Sequence, residues 1–144
     1  MMFRPPGNQD CHIVLRGGRR GPNYTPAHLA AVEALLTQAG LSRAIVVDCN
    51  HDNSGRQPER QPEVVAEMVR LILAGNRSRV GVMIESNLYG GCQPLRPPPG
   101  QLRYGVSVTD GCIDWATTER CLRATHAALA PRFTAVSARE PAVL

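Results

Sequence analysis

Short apolar runs alternate with longer amphipathic stretches along the chain. The runs predict three strands, over residues 12–16, 44–48 and 80–85. Apolar positions at helical spacing predict three helices, over residues 26–39, 62–74 and 115–129. Because the strands are short and uninterrupted, we expect parallel strands that are buried on both faces, as in a barrel or a doubly wound sheet.

Polar and special residues indicate where the helices begin and end. Thr25 is placed to cap the first helix, with Pro26 at its first position, and Gly40 is placed to end it. Asp114 is placed to cap the last helix, and Pro131 is expected to close it. Residues 1–11 are interpreted as a polar lead-in and residues 131–144 as a flexible tail.

Composition limits the class of protein. The 144 residues suit one domain, and 43% of them are hydrophobic, which is enough for an aliphatic core. No run of about 18 apolar residues predicts a membrane span, and the first residues lack the apolar stretch of a signal peptide. We therefore expect a cytoplasmic protein with no membrane partner.

The charge is positive and dispersed. The formal net charge is +4, and all 16 basic residues are arginines spread along the chain. A dispersed charge is typical of a solvated surface, so we expect no nucleic-acid partner, whereas individual arginine forks suit phosphorylated small molecules. The five cysteines match no zinc-finger spacing and are expected to be reduced thiols.

Polar side chains follow the predicted strands at the ends where parallel α/β proteins place their active sites. Arg16 ends the first strand, Asp48 and then His51 follow the second, and Glu85 ends the third. Asp110 lies in the loop before the last helix. One imidazole and two carboxylates form a set of metal ligands, and an arginine beside them can neutralise a phosphate. Surface ion pairs and turn capping would explain the same residues, and spacing alone leaves both interpretations open.

Four linked motifs resemble the C-terminal part of the class I 3-deoxy-7-phosphoheptulonate (DAHP) synthases. They are GNQDCHIVLRGG at residues 7–18 with PNY at 22–24, DCNHDNSG at 48–55, GVMIESNL at 81–88, and YGVSVTDGCI at 104–113 followed by Trp115. The match runs in one order from about residue 7 to residue 129. This resemblance implies that residues 12–130 form about three C-terminal β/α units of a (β/α)8 TIM barrel.

The resemblance also implies an activity and a set of roles. Members of this family condense phosphoenolpyruvate with erythrose 4-phosphate in an aldol-type reaction that releases phosphate, the first step of the shikimate pathway towards aromatic amino acids. It implies that His51, Glu85 and Asp110 bind a divalent metal, with Mn²⁺ expected. It also implies that Arg16 holds the phosphate of phosphoenolpyruvate and that His51 contacts this substrate, which makes both residues catalytic candidates.

The chain departs from the family in two respects. Asp52 stands where the family motif usually has alanine, which adds a negative charge beside the expected metal site. The family's cysteine ligand and its earlier substrate-binding residues lie in barrel units that this chain lacks. We therefore expect a marginally stable or self-associating chain that works as a homo-oligomer or with a complementing N-terminal polypeptide. The alternative is a non-catalytic truncated remnant, or an interaction module that binds metal or phosphate.

Overall fold

The fold alternates strands and helices, as the apolar pattern predicts. The computed structural model describes residues 8, 11–76, 78–96 and 98–137. The strands are β1 (Ile13–Leu15), β2 (Ala44–Asp48) and β3 (Arg79–Met83), and the helices are α1 (Pro26–Gln38), α2 (Gln61–Leu73) and α3 (Trp115–Ser137). In this part of the chain, no helix has the length and hydrophobicity needed to cross a membrane.

The three strands form one parallel sheet in the order β1–β2–β3. Ile45 of the central strand β2 pairs with Ile13 of β1 on one side and with Val80 of β3 on the other. Each crossover passes through a helix, which is how short parallel strands are connected. The carboxyl ends of all three strands therefore lie along the same side of the sheet.

Helices cover one face of this sheet. Ile45 and Val47 of β2 are fully buried there, against Leu29 of α1 and Val64 and Met68 of α2. Helix α3 packs against α2, and it lines a cleft with the helix-facing side of β3. The described part of the chain is therefore a two-layer α/β structure.

The other face of the sheet is open, which corrects the prediction that the strands are buried on both faces. Side chains alternate along a strand, so Val14, Val46 and Met83 point away from the helices. In the central strand Val46 is half-buried, whereas Ile45 and Val47 on the helix side are fully buried, and at the edges Val14 is 40% and Met83 42% exposed. Strands that are apolar on both faces are suited to being covered on both, but the described residues provide helices on only one face. We call this surface the open face.

The predicted helix starts are confirmed, but the predicted end of α3 is wrong. Thr25 caps α1 by accepting a hydrogen bond from the backbone N–H of His28, and Asp114 caps α3 by accepting one from that of Thr117. Helix α3 continues through Pro131 to Ser137. A proline removes one hydrogen bond and clashes with the preceding turn, but these are finite penalties of about 3 kcal/mol, and about four helical turns already precede Pro131. Of the predicted tail, residues 138–144 lie outside the described part.

The open face and the two sheet edges predict self-association. We expect Val14→Lys to shift the chain towards monomer in sedimentation-velocity measurements, because a charge on an exposed edge strand opposes edge-to-edge pairing. Leu35→Lys is the control, since Leu35 lies 64% exposed on α1 and adds the same charge away from the sheet. Equal association of the parent chain and Val14→Lys would contradict the prediction.

Candidate metal centre

Three predicted ligands meet at the carboxyl ends of the strands. His51 lies in the short turn after β2, Glu85 two residues after β3, and Asp110 in the loop before α3. The His51 Nε2 atom is 3.6 Å from Glu85 Oε1 and 3.4 Å from Asp110 Oδ2. One candidate ligand atom from each of the three residues lies within 4.8 Å of the others. The structure thus brings together the imidazole and both carboxylates that strand-end position had indicated.

Asp48 orients the His51 ring. Its Oδ2 atom is 2.7 Å from His51 Nδ1, and its Oδ1 atom accepts a hydrogen bond from the backbone N–H of Asn50. Asp48 is only 3% exposed, so both of its oxygens are fixed within the protein. A carboxylate bonded to Nδ1 selects the tautomer that leaves the Nε2 lone pair for a cation, which is a common arrangement at histidine metal ligands.

Gln61 fixes the backbone of Glu85. The fully buried Gln61 amide donates from Nε2 to the Glu85 carbonyl at 3.0 Å, and its Oε1 accepts from the Glu85 N–H at 2.8 Å. The N–H of Ile113 donates to the same carbonyl. These hydrogen bonds hold the backbone of Glu85 in place beyond the end of β3. The Glu85 carboxylate therefore projects from a fixed backbone.

The Asp110 loop is held against the His51 loop. Asn50 Nδ2 donates to the carbonyl of Gly111 at 3.0 Å. Gly111 also lies directly on Pro58, where an added Cβ would be 3.0 Å from the proline ring. The Asp110 side chain itself is 59% exposed, so it reaches the cluster from the solvent side.

A buried amide connects these loops to β1. Asn53 Nδ2 donates to the carbonyls of Leu15 and Asp48, and its Oδ1 accepts from the N–H of Asn23. Asn23 Oδ1 in turn accepts from the N–H of Gly17. The loop after β1 is therefore tied to the loop that carries His51.

The ligand set fits a divalent cation. Ligands about 2.0–2.2 Å from a common ion lie roughly 3–4.4 Å apart, and the distances of 3.6 Å and 3.4 Å from His51 Nε2 to the two carboxylate oxygens fall within this range. Two carboxylates beside a neutral imidazole carry a charge of about −2, so a cation would balance them. Nitrogen and oxygen donors of this kind suit Mn²⁺, Fe²⁺ or Zn²⁺.

Arg16 is not part of this cluster. It follows β1, where continued alternation places it on the open face with Val14, and its side chain is exposed. Its side chain makes no hydrogen bond or ion pair with the residues that the structure describes. Its guanidinium group is therefore accessible to a ligand.

The negative charge of Asp52 is paired. Arg56 Nε donates to Asp52 Oδ1 at 3.0 Å, and the Asp52 side chain is 31% exposed. This ion pair offsets the charge that replaces the alanine of the family motif, although a partly exposed pair contributes little to stability.

The cysteines that lie near the cluster are not among its ligands. Burial raises the pKa of Cys49 to about 12, and its thiol donates to the carbonyl of Val47. Burial also raises the pKa of Cys112, whose thiol donates to the carbonyl of Asp110. Among the described residues, the side chains whose ligand atoms lie close enough to share one ion are His51, Glu85 and Asp110, and neither cysteine belongs to this group.

Sequence reasoning missed the residues that orient the ligands. Asp48 was noted as a strand end, but its bond to His51 could have been expected from their spacing of three residues. Gln61 and Asn53 gave no such signal, because their partners lie 24 and 38 residues away.

The comparisons agree with the resemblance noted from the motifs. A profile of the DAHP synthetase I family matches residues 1–123. The chain is 46% identical over 134 residues to the Tyr-sensitive phospho-2-dehydro-3-deoxyheptonate aldolase of Escherichia coli (strain K12), covering 93% of this chain and 37% of that protein. It is 46% identical over 115 residues to the tyrosine-inhibited phospho-2-dehydro-3-deoxyheptonate aldolase of Schizosaccharomyces pombe, covering 78% of this chain and 31% of that protein.

A solved structure is similar over most of the same region. The phospho-2-dehydro-3-deoxyheptonate aldolase of Francisella tularensis SCHU S4 superposes with a TM-score of 0.79 and 38% identity, covering 88% of this chain and 36% of that chain. The chain thus spans about a third of the length of these relatives.

The tight contact between the β1 loop and the His51 loop can be tested at Gly17. We expect Gly17→Ala to lower the free energy of unfolding by about 2–4 kcal/mol in urea titrations. Gly17 has a φ of 75°, and an added Cβ would lie 2.8 Å from Asn53 N and from Asp52 atoms. Gly18→Ala is the matched control, since an added Cβ there meets nothing within 4 Å. Equal losses for the two variants would contradict the assignment.

Proposed function

Because this chain belongs to the DAHP synthetase I family, we propose that it provides the metal-binding rim of a 3-deoxy-7-phosphoheptulonate synthase. Such an enzyme condenses phosphoenolpyruvate with erythrose 4-phosphate at the start of aromatic amino acid biosynthesis. The observation that carries the proposal is the convergence of His51, Glu85 and Asp110 at one side of the sheet. Since the chain spans 37% of its Escherichia coli relative, we propose part of an active site.

The sheet is proposed to be three units of a (β/α)8 barrel. Both α1 and α2 pack on one face of the sheet, whereas a doubly wound sheet has helices on both faces. In a barrel the opposite face lines the interior, and this accounts for the apolar open face with Val14 and Met83. A complete barrel needs about 250 residues, so the three units described here are proposed to be one part of it.

We propose a complementing N-terminal polypeptide as the partner that covers the open face. It would pair with the free edges of β1 and β3 and supply the ligand and substrate-binding residues of the earlier units. A homo-oligomer would cover the same apolar surface without supplying those residues. The complementing polypeptide therefore accounts for both the open face and the incomplete site.

The roles of the residues follow from their positions. A divalent cation, for which we propose Mn²⁺, would be held by His51, Glu85 and Asp110, and when bound it supplies Lewis acidity for the aldehyde or for a water. Asp48 keeps His51 Nε2 directed at the two carboxylates. The accessible fork of Arg16 can pair with the phosphate of phosphoenolpyruvate through two parallel hydrogen bonds. Since both substrates are phosphorylated metabolites, we propose the cytoplasm as the location.

A second candidate is a non-catalytic remnant or module that binds metal or phosphate. The open face favours it, because an unclosed barrel exposes its interior to water. The two candidates share the metal site but differ in the need for a partner.

The shared metal site can be tested by titrating Mn²⁺ and following the signal of the free ion by electron paramagnetic resonance. We expect His51→Ala to weaken Mn²⁺ binding at least about tenfold, because it removes the one nitrogen ligand. The control His126→Ala removes an exposed imidazole from α3 and should leave binding unchanged. If His51→Ala bound Mn²⁺ as tightly as the parent chain, the proposed centre would be wrong.

Catalysis can be tested by reconstitution. Purified chain, Mn²⁺ and both substrates are mixed with and without the product of a neighbouring reading frame that encodes the first five units, and phosphate release is measured. We expect release only with both polypeptides, because the isolated chain lacks the earlier units. No release from either mixture would reject the catalytic proposal and leave the non-catalytic one.

A further inference from the structure

A candidate metal ligand and a residue near it in the same loop both have a left-handed backbone conformation. Among the described non-glycine residues, only His51 and Arg56 have positive φ angles, of 47° and 61°. They are joined directly, since the Arg56 N–H donates to the His51 carbonyl at 2.7 Å. Left-handed conformations cost free energy for side chains with a Cβ and often occur at functional sites. The loop thus holds both residues in conformations that they do not readily adopt.

His51 and Arg56 face the same cleft. This small cleft, of about 70 Å³, is lined by both residues together with Asn50, Pro58, Asp110 and Gly111. Two of the three candidate metal ligands, His51 and Asp110, therefore border the space that Arg56 borders. The sequence alone does not indicate a binding role for Arg56, because it is one of 16 arginines dispersed along the chain and lies outside the family motifs.

The guanidinium group of Arg56 is only partly engaged. Its Nε donates to Asp52 Oδ1 at 3.0 Å, whereas its two terminal nitrogens make no hydrogen bond with the described residues. The side chain is 71% exposed. Asp52 therefore fixes one edge of the guanidinium plane and leaves the donors of the two terminal nitrogens accessible to a ligand.

We propose that Arg56 binds the phosphate group of a phosphorylated substrate in the cleft beside the cation, and that Asp52 is its positioning residue. Arginine forks bind phosphate oxygens through charge-assisted hydrogen bonds. A phosphate dianion, with twice the charge of a carboxylate, is attracted more strongly to both the arginine and the neighbouring cation. This proposal rests on the proposed metal centre, and it adds an anion site on the β2 loop to the one proposed for Arg16 after β1.

The test measures phosphate binding near the cation without using catalysis. The full chain is loaded with Mn²⁺, and bound Mn²⁺ is quantified by electron paramagnetic resonance. Inorganic phosphate is then titrated, and its ³¹P relaxation, which bound Mn²⁺ accelerates, reports how much phosphate lies beside the ion. We expect Arg56→Gln to weaken phosphate binding about three- to tenfold at equal bound Mn²⁺, as expected for one solvent-accessible charge-assisted contact.

Arg60→Gln is the matched control. It removes the same charge four residues further on, from a side chain that pairs with Glu63 and does not line the cleft. We expect it to leave the phosphate titration unchanged. An equal loss in both variants would show a general charge effect and would overturn the proposal.

A parallel titration with pyruvate, followed through the relaxation of its ¹³C-labelled carboxylate, separates phosphate from carboxylate recognition. A loss confined to phosphate supports the assignment, whereas a loss confined to pyruvate, or no loss in either titration, overturns it. If the parent chain binds no Mn²⁺, the proposed metal centre fails first and this proposal fails with it. If Mn²⁺ binds normally and Arg56→Gln changes nothing, only the role of Arg56 is rejected.

Discussion

The amide of Asn53 holds the ends of two strands and the loop after β1 in one arrangement. It donates to the carbonyls of Leu15 and Asp48 and accepts from the N–H of Asn23, and it is 2% exposed. A buried amide with all of these bonds made fixes the loop geometry, because breaking any one of them would leave a buried polar group unpaired. The conformation of the His51 loop, and with it the ligand geometry, depends on this residue.

Much of the fold could be predicted because the apolar pattern is local. The limits of β2 were predicted correctly, and those of α1 and α2 to within one residue, since Thr25, Gly40 and Gly75 mark the boundaries. The facing of β3 could not be predicted. Val82, Met83 and Ile84 are all apolar, so the pattern does not show which of them points towards the helices, and the register places Val82 on the helix side. The predicted end of α3 at Pro131 was wrong, because the free-energy cost of one proline does not decide where a long helix ends.

The candidate ligands could be predicted from the sequence, but the residues that orient them could not. His51 follows β2 and Glu85 follows β3, so parallel topology brings them to one side of the sheet, and Asp110 reaches them from the loop before α3. The residues that orient them depend on tertiary contacts. Gln61 directly precedes the predicted helix at residues 62–74, and nothing local indicates that its amide bonds the backbone of Glu85. The positive φ of Arg56 likewise results from the hydrogen bonds of the folded loop.

The distribution of these residues separates cation binding from substrate binding. The three candidate metal ligands come from the loops after β2 and β3 and before α3, and those loops are held together by Gln61 and Asn50 within this chain. Arg16 instead follows the edge strand β1, and its side chain faces the uncovered side of the sheet. Closing the sheet would add neighbours to β1 and to the open face, but it would not change the contacts that orient the metal ligands. Under the proposed function, the three candidate ligands would therefore be in place before assembly with a partner, whereas the surroundings of Arg16 would be completed by it.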